Sequence, residues 1–140
     1  MKPITIEWVN KAEADSATAE RELRVKNRPN YDAVCFHSQQ CAEKYLKARL
    51  QEADTLFPRI HDLSVLLDLA LPIEPTWETL RDDLDALTAF AVEYRYPGES
   101  AIESEARESV EACRRLRCIV RKALHLALDE VTDEQASGDE

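Results

Sequence analysis

The chain has 140 residues, of which 44% are hydrophobic and 33% are charged, and its formal net charge is −10. Two glycines and six prolines are few for this length, which favours helices and argues against a turn-rich β fold. No run approaches the ~18 apolar residues of a membrane span, and the N-terminus lacks the apolar core of a signal peptide. We therefore expect a cytoplasmic protein with no membrane contact.

The negative charge is unevenly distributed along the chain. Residues 129–140 contain six Asp and Glu residues and no Lys or Arg. The remainder therefore carries −10 + 6 = −4, so any contact with nucleic acid has to be local. We predict one folded domain over residues 1–128 and an acidic disordered tail over residues 129–140.

Two long helices are predicted in the first half of the chain. Thr5 is the predicted N-cap of the first helix, which ends near Asn27. The second runs from about Tyr31 to Ala53 and follows a short break, which makes it an antiparallel neighbour. Their apolar faces repeat at three and four residues: Val9, Ala12, Ser16, Ala19 and Leu23 on the first, and Tyr31, Val34, Ser38, Cys41, Tyr45 and Ala48 on the second.

A polar row lies on the opposite face of the second helix. Its members are His37, Gln40, Lys44 and Lys47, spaced at three, four and three residues. Such rows are usually solvated surface, which the sequence favours here. The alternative is that the row lines a cleft together with Gln39 and Glu43.

A short helix and a fourth, longer helix follow. The short helix starts at His61-Asp62, and its predicted buried face is Leu63, Leu66, Leu67 and Ala70. His61 is either a ligand-binding residue or a histidine that hydrogen-bonds at a helix terminus. Thr76 is the predicted cap of the next helix, which leads to Arg95.

The stretch Ala86–Ser100 stops that helix abruptly. Pro97 removes an amide donor and Gly98 permits a positive φ, so Tyr96-Pro97-Gly98 is predicted to be a tight turn. Arg95 with Tyr94 and Tyr96 then forms a cation beside two aromatic rings at a helix junction. This cluster suits an anion or a nucleotide, but residue types alone favour a structural role at the helix end.

The last helix is predicted to begin with a capping box formed by Ser100 and Glu103. Its apolar positions, Ile102, Ala106, Ser109, Cys113, Leu116, Val120, Ala123 and Ala127, repeat at three and four throughout. Acidic residues crowd its start and basic residues its second half, which suits the helix dipole. Phosphate binding by the basic half is the lesser alternative.

The four cysteines, Cys35, Cys41, Cys113 and Cys118, follow core periodicity and form no C-x-x-C pair. They are predicted to be small buried residues that bind no metal. No glycine-rich phosphate loop, zinc motif or nucleophile motif occurs, and we predict no cofactor. The predicted fold is all-α: an antiparallel up-down helical bundle of four long helices plus one short helix.

The chain resembles the HEPN domain family, small helical proteins of prokaryotes that are often encoded beside a minimal nucleotidyltransferase. The resemblance spans nearly the whole chain and rests on Trp8, the string 36–48 (FHSQQCAEKYLKA), His61-Asp62-Leu63 and Tyr94-Arg95-Tyr96-Pro97. It implies a helical bundle that forms a homodimer and binds a nucleotide or RNA at a polar site near the Arg-Tyr-Pro turn.

One departure from the family concerns catalysis. Ribonuclease members carry Arg, then four to six residues, then His, whereas the window from Tyr96 to Ile102 holds no histidine. The catalytic step then lacks its proton shuttle, unless His37 or His61 supplies it. The resemblance implies a nucleotide- or RNA-binding component that acts with a minimal nucleotidyltransferase, as in a toxin-antitoxin pair. An inert dimerisation module and a metal-independent ribonuclease are the alternatives.

The predicted ligand-binding residues have Arg95 at their centre. Tyr96 and Tyr94 support it, and the possible neighbours are His61, His37, Lys44 and Lys47. No catalytic residue and no metal ligand are assigned.

Overall fold

A computed structural model describes residues 1–93 and 96–128. The regular secondary structure in this part of the chain is entirely helical, with no strand. The helices are α1 (Pro3–Leu23), α2 (Tyr31–Glu52), α3 (Leu63–Ala70), a short 3₁₀ helix (Pro75–Leu80), α4 (Arg81–Glu93) and α5 (Glu103–Ala123). The predicted four long helices and one short helix are confirmed, and α3 is the short one.

Side-chain contacts between helices show the direction of each one. Trp8 near the start of α1 donates a hydrogen bond to Gln51 near the end of α2 (3.4 Å), so these two helices are antiparallel. Phe90 at the end of α4 packs in the same cluster as Ala106 near the start of α5, so this pair is antiparallel too. The bundle therefore has the predicted up-down order.

The helix α2 lies at the centre of the bundle and contacts all four other α-helices. It runs parallel to α5, because Cys35 lies opposite Ser109 (Oγ to Sγ, 3.5 Å) and Tyr45 lies opposite Arg121 (3.0 Å). Small residues along this contact allow the two helix axes to approach closely. The predicted seam of α2 is buried except at Tyr31, which is half-buried.

Three predicted helix starts are wrong. The first helix begins before Thr5, at Pro3, since proline at the first position needs no hydrogen bond from its nitrogen. Glu74, not Thr76, precedes the 3₁₀ helix. The last helix starts at Glu103, and the backbone N–H of Ile102 donates to Glu105 Oε1 (3.0 Å), so that Ser100 does not cap it.

The first helix also ends earlier than predicted, at Leu23 rather than near Asn27. At the other end of the chain, Ala127 lies beyond α5, which stops at Ala123. The apolar stripe of α1 stops at Leu23, and the predicted end near Asn27 rested on Pro29 instead. At α5 the apolar periodicity continues by chance past the helix end and overestimates its length.

The predicted start of the short helix is confirmed. Asp62 precedes α3, and its Oδ1 accepts hydrogen bonds from the backbone N–H groups of Ser64 (2.9 Å) and Val65 (3.2 Å). The four residues predicted for the buried face, Leu63, Leu66, Leu67 and Ala70, are all buried. This anchored start fixes the backbone on either side of Asp62, including His61.

The predicted tight turn after α4 is present. The N–H of Glu99 donates to the carbonyl of Tyr96 (3.3 Å), and Gly98 has φ 95°, which is the pattern of a type II turn with Pro97 at its second position. The N–H of Ala101 then donates to Asp32 Oδ1 (2.7 Å). This hydrogen bond holds the connection against the first turn of α2.

The cysteines differ in exposure. Cys35, Cys41 and Cys113 are buried as predicted, whereas Cys118 is exposed because it points away from the bundle between two core positions of α5. Within residues 1–93 and 96–128 no group of three or more His, Cys, Asp and Glu residues is placed to hold a metal ion. The absence of metal binding stays a prediction.

No helix in the described part of the chain is long and apolar enough to cross a membrane.

Candidate functional site

A cavity of about 350 Å³ lies between the first half of α2, His61 and the end of α4. His61 directly precedes Asp62, the N-cap of α3. It is lined by Phe36, Gln39, Gln40, His61, Thr88, Ala91 and Val92. Its wall thus combines an aromatic ring, two amides, an imidazole and an apolar floor, a mixture typical of sites for small polar ligands.

The two glutamines of the cavity hold each other in place. Gln40 Nε2 donates to Gln39 Oε1 (2.9 Å), and Gln39 Nε2 donates to the carbonyl of His61 (3.4 Å). Gln39 is 8% exposed, so its amide is fixed by the surrounding protein. In the less favoured alternative the row lined a cleft with Gln39 and Glu43, and of these residues the cavity is lined by Gln39 and Gln40 but not by Glu43.

A buried carboxylate lies behind the cavity. Glu43 Oε2 is 2.9 Å from Lys47 Nζ and 2.8 Å from His61 Nδ1. Lys47 is only 5% exposed and its ammonium lies 5.4 Å from the ring centre of Trp8 and 5.9 Å from that of Phe57. Glu43 Oε1 is buried and has no hydrogen-bond partner in the described part of the chain. One carboxylate oxygen therefore holds both a buried ammonium and an imidazole.

The His61 imidazole is the exposed member of this group, with 80% of its side chain accessible. When its Nδ1 donates to Glu43, the opposite nitrogen, Nε2, is available for a ligand. A carboxylate that orients an imidazole in this way fixes its tautomer, as in the triads of hydrolases. In the imidazolium form Nε2 can donate to a phosphate oxygen, and in the neutral form it can accept a proton from a ligand.

A second polar group lies between α1 and α2. Asp15 accepts from Lys44 Nζ at Oδ2 (2.6 Å) and lies 2.8 Å from His37 Nδ1 at Oδ1. The edge of the His37 ring meets the ring of Phe36, with 5.2 Å between their centres. His37 and Lys44 therefore face α1, and neither lines the cavity.

The predicted row on α2 is thus divided among three environments. Gln40 lines the cavity, His37 and Lys44 pair with Asp15, and Lys47 is buried with Glu43. The favoured interpretation of the row as solvated surface is wrong for Lys47. Long helices such as α2 can bury polar residues on every side when other helices surround them.

The basic half of α5 is occupied by ion pairs with other helices. Arg114 pairs with Glu20 (2.6 Å), Arg115 with Asp83 (2.9 Å) and Arg117 with Glu13 (2.6 Å). These pairs connect α5 to α1 and α4. The helix dipole alone therefore does not account for the position of these arginines.

Glu13 also accepts a hydrogen bond from the Tyr45 hydroxyl, which in turn accepts from Arg121 (3.0 Å). Burial raises the pKa of Glu13, but the hydrogen bonds from Arg117 and Tyr45 outweigh burial, and the pKa lies below its usual value. Burial and the bond to Glu13 raise the pKa of Tyr45. This network stabilises the bundle and leaves Tyr45 protonated.

The centre of the sequence-predicted site is only partly described. Tyr94 and Arg95 lie outside the described residues. Tyr96 is 69% exposed at the turn and is not part of the cavity wall. Of the predicted ligand-binding residues that the structure describes, His61 alone lines the cavity.

Sequence reasoning missed Phe36 and Thr88 as cavity residues. Phe36 is 39% exposed, and a large aromatic side chain three residues before Gln39 and four before Gln40 on the predicted polar side of α2 is a signal that the sequence does carry. Thr88 gives no such signal. Its role depends on how α4 packs against α2.

The comparisons with known proteins agree with this fold. The family model described as HEPN domain matches residues 5–123. The crystal structure of an archaeal HEPN homologue, ST0689, is similar, with a TM-score of 0.66 and 27% sequence identity. The match covers 89% of this chain and 99% of that one. No curated protein matches the sequence.

Proposed function

The chain belongs to the HEPN domain family, and on that premise we propose that it is a nucleotide- or RNA-binding component that acts with a minimal nucleotidyltransferase. The observation that carries the proposal is the cavity at α2 and α4, with the exposed His61 held by the buried Glu43. A cavity of about 350 Å³ has the size of a small-ligand site.

Arg95 is the proposed phosphate ligand. Val92 lines the cavity, and Arg95 follows it by three residues, which keeps their Cα atoms within about 11 Å. A guanidinium at that range of the cavity can bind a phosphate in bidentate fashion, and the imidazolium form of His61 can donate a second hydrogen bond from Nε2. The glutamine amides offer hydrogen bonds to a base, and the rings of Phe36 and Tyr96 offer stacking surfaces.

Titration with mononucleotides and short RNA tests this proposal. Arg95→Ala should weaken binding by about 1.5–3 kcal/mol, the cost of losing charge-assisted hydrogen bonds, and leave the melting temperature nearly unchanged. The matched control is Arg115→Ala, since Arg115 pairs with Asp83 on the α4–α5 face and does not line the cavity. Equal loss in both variants would contradict the proposal. A protein that dimerises and binds no nucleotide would be the inert module instead.

The Glu43–His61 contact favours one second candidate, a metal-independent ribonuclease with a histidine outside the family motif. We expect no cleavage by the purified protein, because no histidine follows Arg95 at the family spacing. Should chelator-resistant cleavage occur, His61→Ala should abolish it. His37→Ala is the control, since His37 is bound to Asp15 outside the cavity. Such a result would show that the chain is an enzyme.

The nucleotidyltransferase partner and the toxin-antitoxin role are supported by family resemblance. A gene for a minimal nucleotidyltransferase beside this one, and co-purification of its product with this chain, would support them. A neighbouring gene of unrelated function would count against them.

A further inference from the structure

A second, larger pocket of about 590 Å³ lies at the end of α1, between the α1–α2 connection and the starts of α2 and α5. We propose that this pocket binds phosphate groups of a single-stranded RNA, and so extends the binding surface beyond the cavity at His61. The choice of RNA as the ligand rests on the proposed function. The pocket itself is lined by residues that do not line the cavity at His61.

The pocket is basic in an acidic protein. Its wall contains four cations, Arg24, Lys26, Arg107 and Arg114, and two carboxylates, Glu20 and Glu103. The net charge of the wall is therefore +4 − 2 = +2, whereas the net charge of the whole chain is −10. A local excess of positive charge of this kind is what an acidic protein requires to bind a polyanion.

The cations keep donors for a ligand. Arg114 uses Nε and one terminal nitrogen on Glu20 (2.7 and 2.6 Å), which leaves its other terminal nitrogen available. Arg24 has 68% of its side chain exposed and lies 4.0 Å from Glu20. Lys26 is exposed and has no ion pair within the described residues.

The backbone presents these cations in a fixed arrangement. The connection 24–30 carries Arg24, Lys26 and Arg28 and no carboxylate. Glu22 Oε2 accepts from the N–H of Asn30 (2.7 Å), and Asn30 in turn caps α2 through Ala33 (3.0 Å). The connection is thus held at both ends, which reduces the entropy lost when a phosphate binds.

An aromatic ring completes the pocket. Tyr31, the first residue of α2, is half-buried in its wall and can stack with a base. Phe36 of the cavity follows five residues later, about 7.5 Å along the helix axis and about 140° around it. The pocket and the cavity therefore lie on different sides of the same end of α2, and one RNA strand can pass over that end to reach both.

The concave shape favours RNA over an anionic membrane. The cations line a concave pocket of about 590 Å³, whereas a bilayer surface is flat and contacts side chains that protrude. Extended single strands follow charged grooves with stacking platforms, and the combination of arginines with Tyr31 matches that chemistry.

Fluorescence anisotropy with a labelled, unstructured RNA of roughly 12 nucleotides, within the usual site size, tests the proposal. The pocket variant is Arg24→Glu with Lys26→Glu. The charge-matched control is Lys11→Glu with Lys122→Glu, two exposed lysines that do not line the pocket. Both double variants change the net charge equally, so only position differs.

The expected result follows from the release of counterions. For a single strand, each phosphate contact contributes about 0.7 to the slope of log affinity against log salt concentration. Loss of two contacts should therefore lower this slope by about 1.4 and the affinity by about 25-fold at ~0.1 M salt. The control should change affinity by less than about 3-fold. Equal losses in both double variants, no binding of RNA by the wild type, or binding to phosphatidylserine vesicles in place of RNA would each overturn the proposal.

The two proposals fail separately. Arg24 and Lys26 do not line the cavity, so the pocket variant should keep the mononucleotide binding that is weakened in Arg95→Ala. RNA binding that depends on Arg24 and Lys26, without any mononucleotide binding, would support RNA binding at the pocket and contradict nucleotide binding at the cavity. Mononucleotide binding with an RNA affinity that the pocket variant leaves unchanged would do the reverse.

Discussion

The buried pair of Glu43 and Lys47 allows a quantitative test. Both residues lie four positions apart on α2, with 3% and 6% of their side chains exposed and 2.9 Å between their charged atoms. Glu43→Gln keeps the shape of the side chain and removes its charge. The Lys47 ammonium would then be buried without a counter-ion.

Breaking a buried ion pair from one side typically costs about 3–5 kcal/mol. We expect Glu43→Gln to lower the free energy of unfolding by about 3 kcal/mol, the low end, since the amide oxygen still accepts from Lys47. The double variant Glu43→Gln with Lys47→Met should lose less than the single one, because no buried charge remains. The coupling energy between the two sites should reach about 2 kcal/mol.

The chain contains a matched control pair. Glu103 and Arg107 have the same spacing on α5, but 54% and 58% of their side chains are exposed. Glu103→Gln should cost only about 0.3–0.5 kcal/mol, as for other exposed pairs at this spacing. Urea unfolding of the wild type, of these three variants and of Lys47→Met alone, which the coupling energy requires, measures these values. Similar costs for the two pairs, or additive effects at Glu43 and Lys47, would refute the reasoning.

Three further predictions concern the rest of the molecule. The depressed pKa of Glu13 means that its contribution to stability is complete above the usual value of 4.5 and is lost as the pH falls through the lower folded value. The stability difference between wild type and Glu13→Gln should therefore shrink below about pH 4.5, and a constant difference would count against this network. Deletion of Val131–Glu140 should change the free energy of unfolding by less than about 1 kcal/mol, and a larger loss would mean that the tail docks. We also predict a homodimer, so sedimentation equilibrium should give twice the 16.0 kDa of one chain, and a monomer at micromolar concentration would contradict it.

The sequence predicts the fold of this protein well because most of its helices bury a regular stripe. The faces of α2, α3 and α5 and the turn at Tyr96-Pro97-Gly98 follow from periodicity and from proline and glycine chemistry. The helix starts were less predictable. Thr5, Thr76 and Ser100 are good capping residues, but local packing and the prolines at positions 3 and 75 set the starts elsewhere.

The candidate site was predictable only in part, since it depends on contacts between residues far apart in the chain. His61 and Glu43 are 18 residues apart, and Asp15 and Lys44 are 29 apart. No local pattern indicates that Lys47 is buried while Lys44 is half-exposed, because both occupy similar positions on α2. The partners of Lys44, Arg114, Arg115 and Arg117 lie on other helices, where spacing within one helix carries no information.

The parallel contact between α2 and α5 has a consequence for synthesis of the chain. Ser109 meets Cys35 across 74 residues, and Arg121 meets Tyr45 across 76. α1 can pair with α2 soon after both leave the ribosome, but the α5 side of α2 stays uncovered until almost the entire chain has been made. A nascent chain that ends before Glu103 therefore exposes the centre of its own core, the state in which helical proteins are most prone to aggregate.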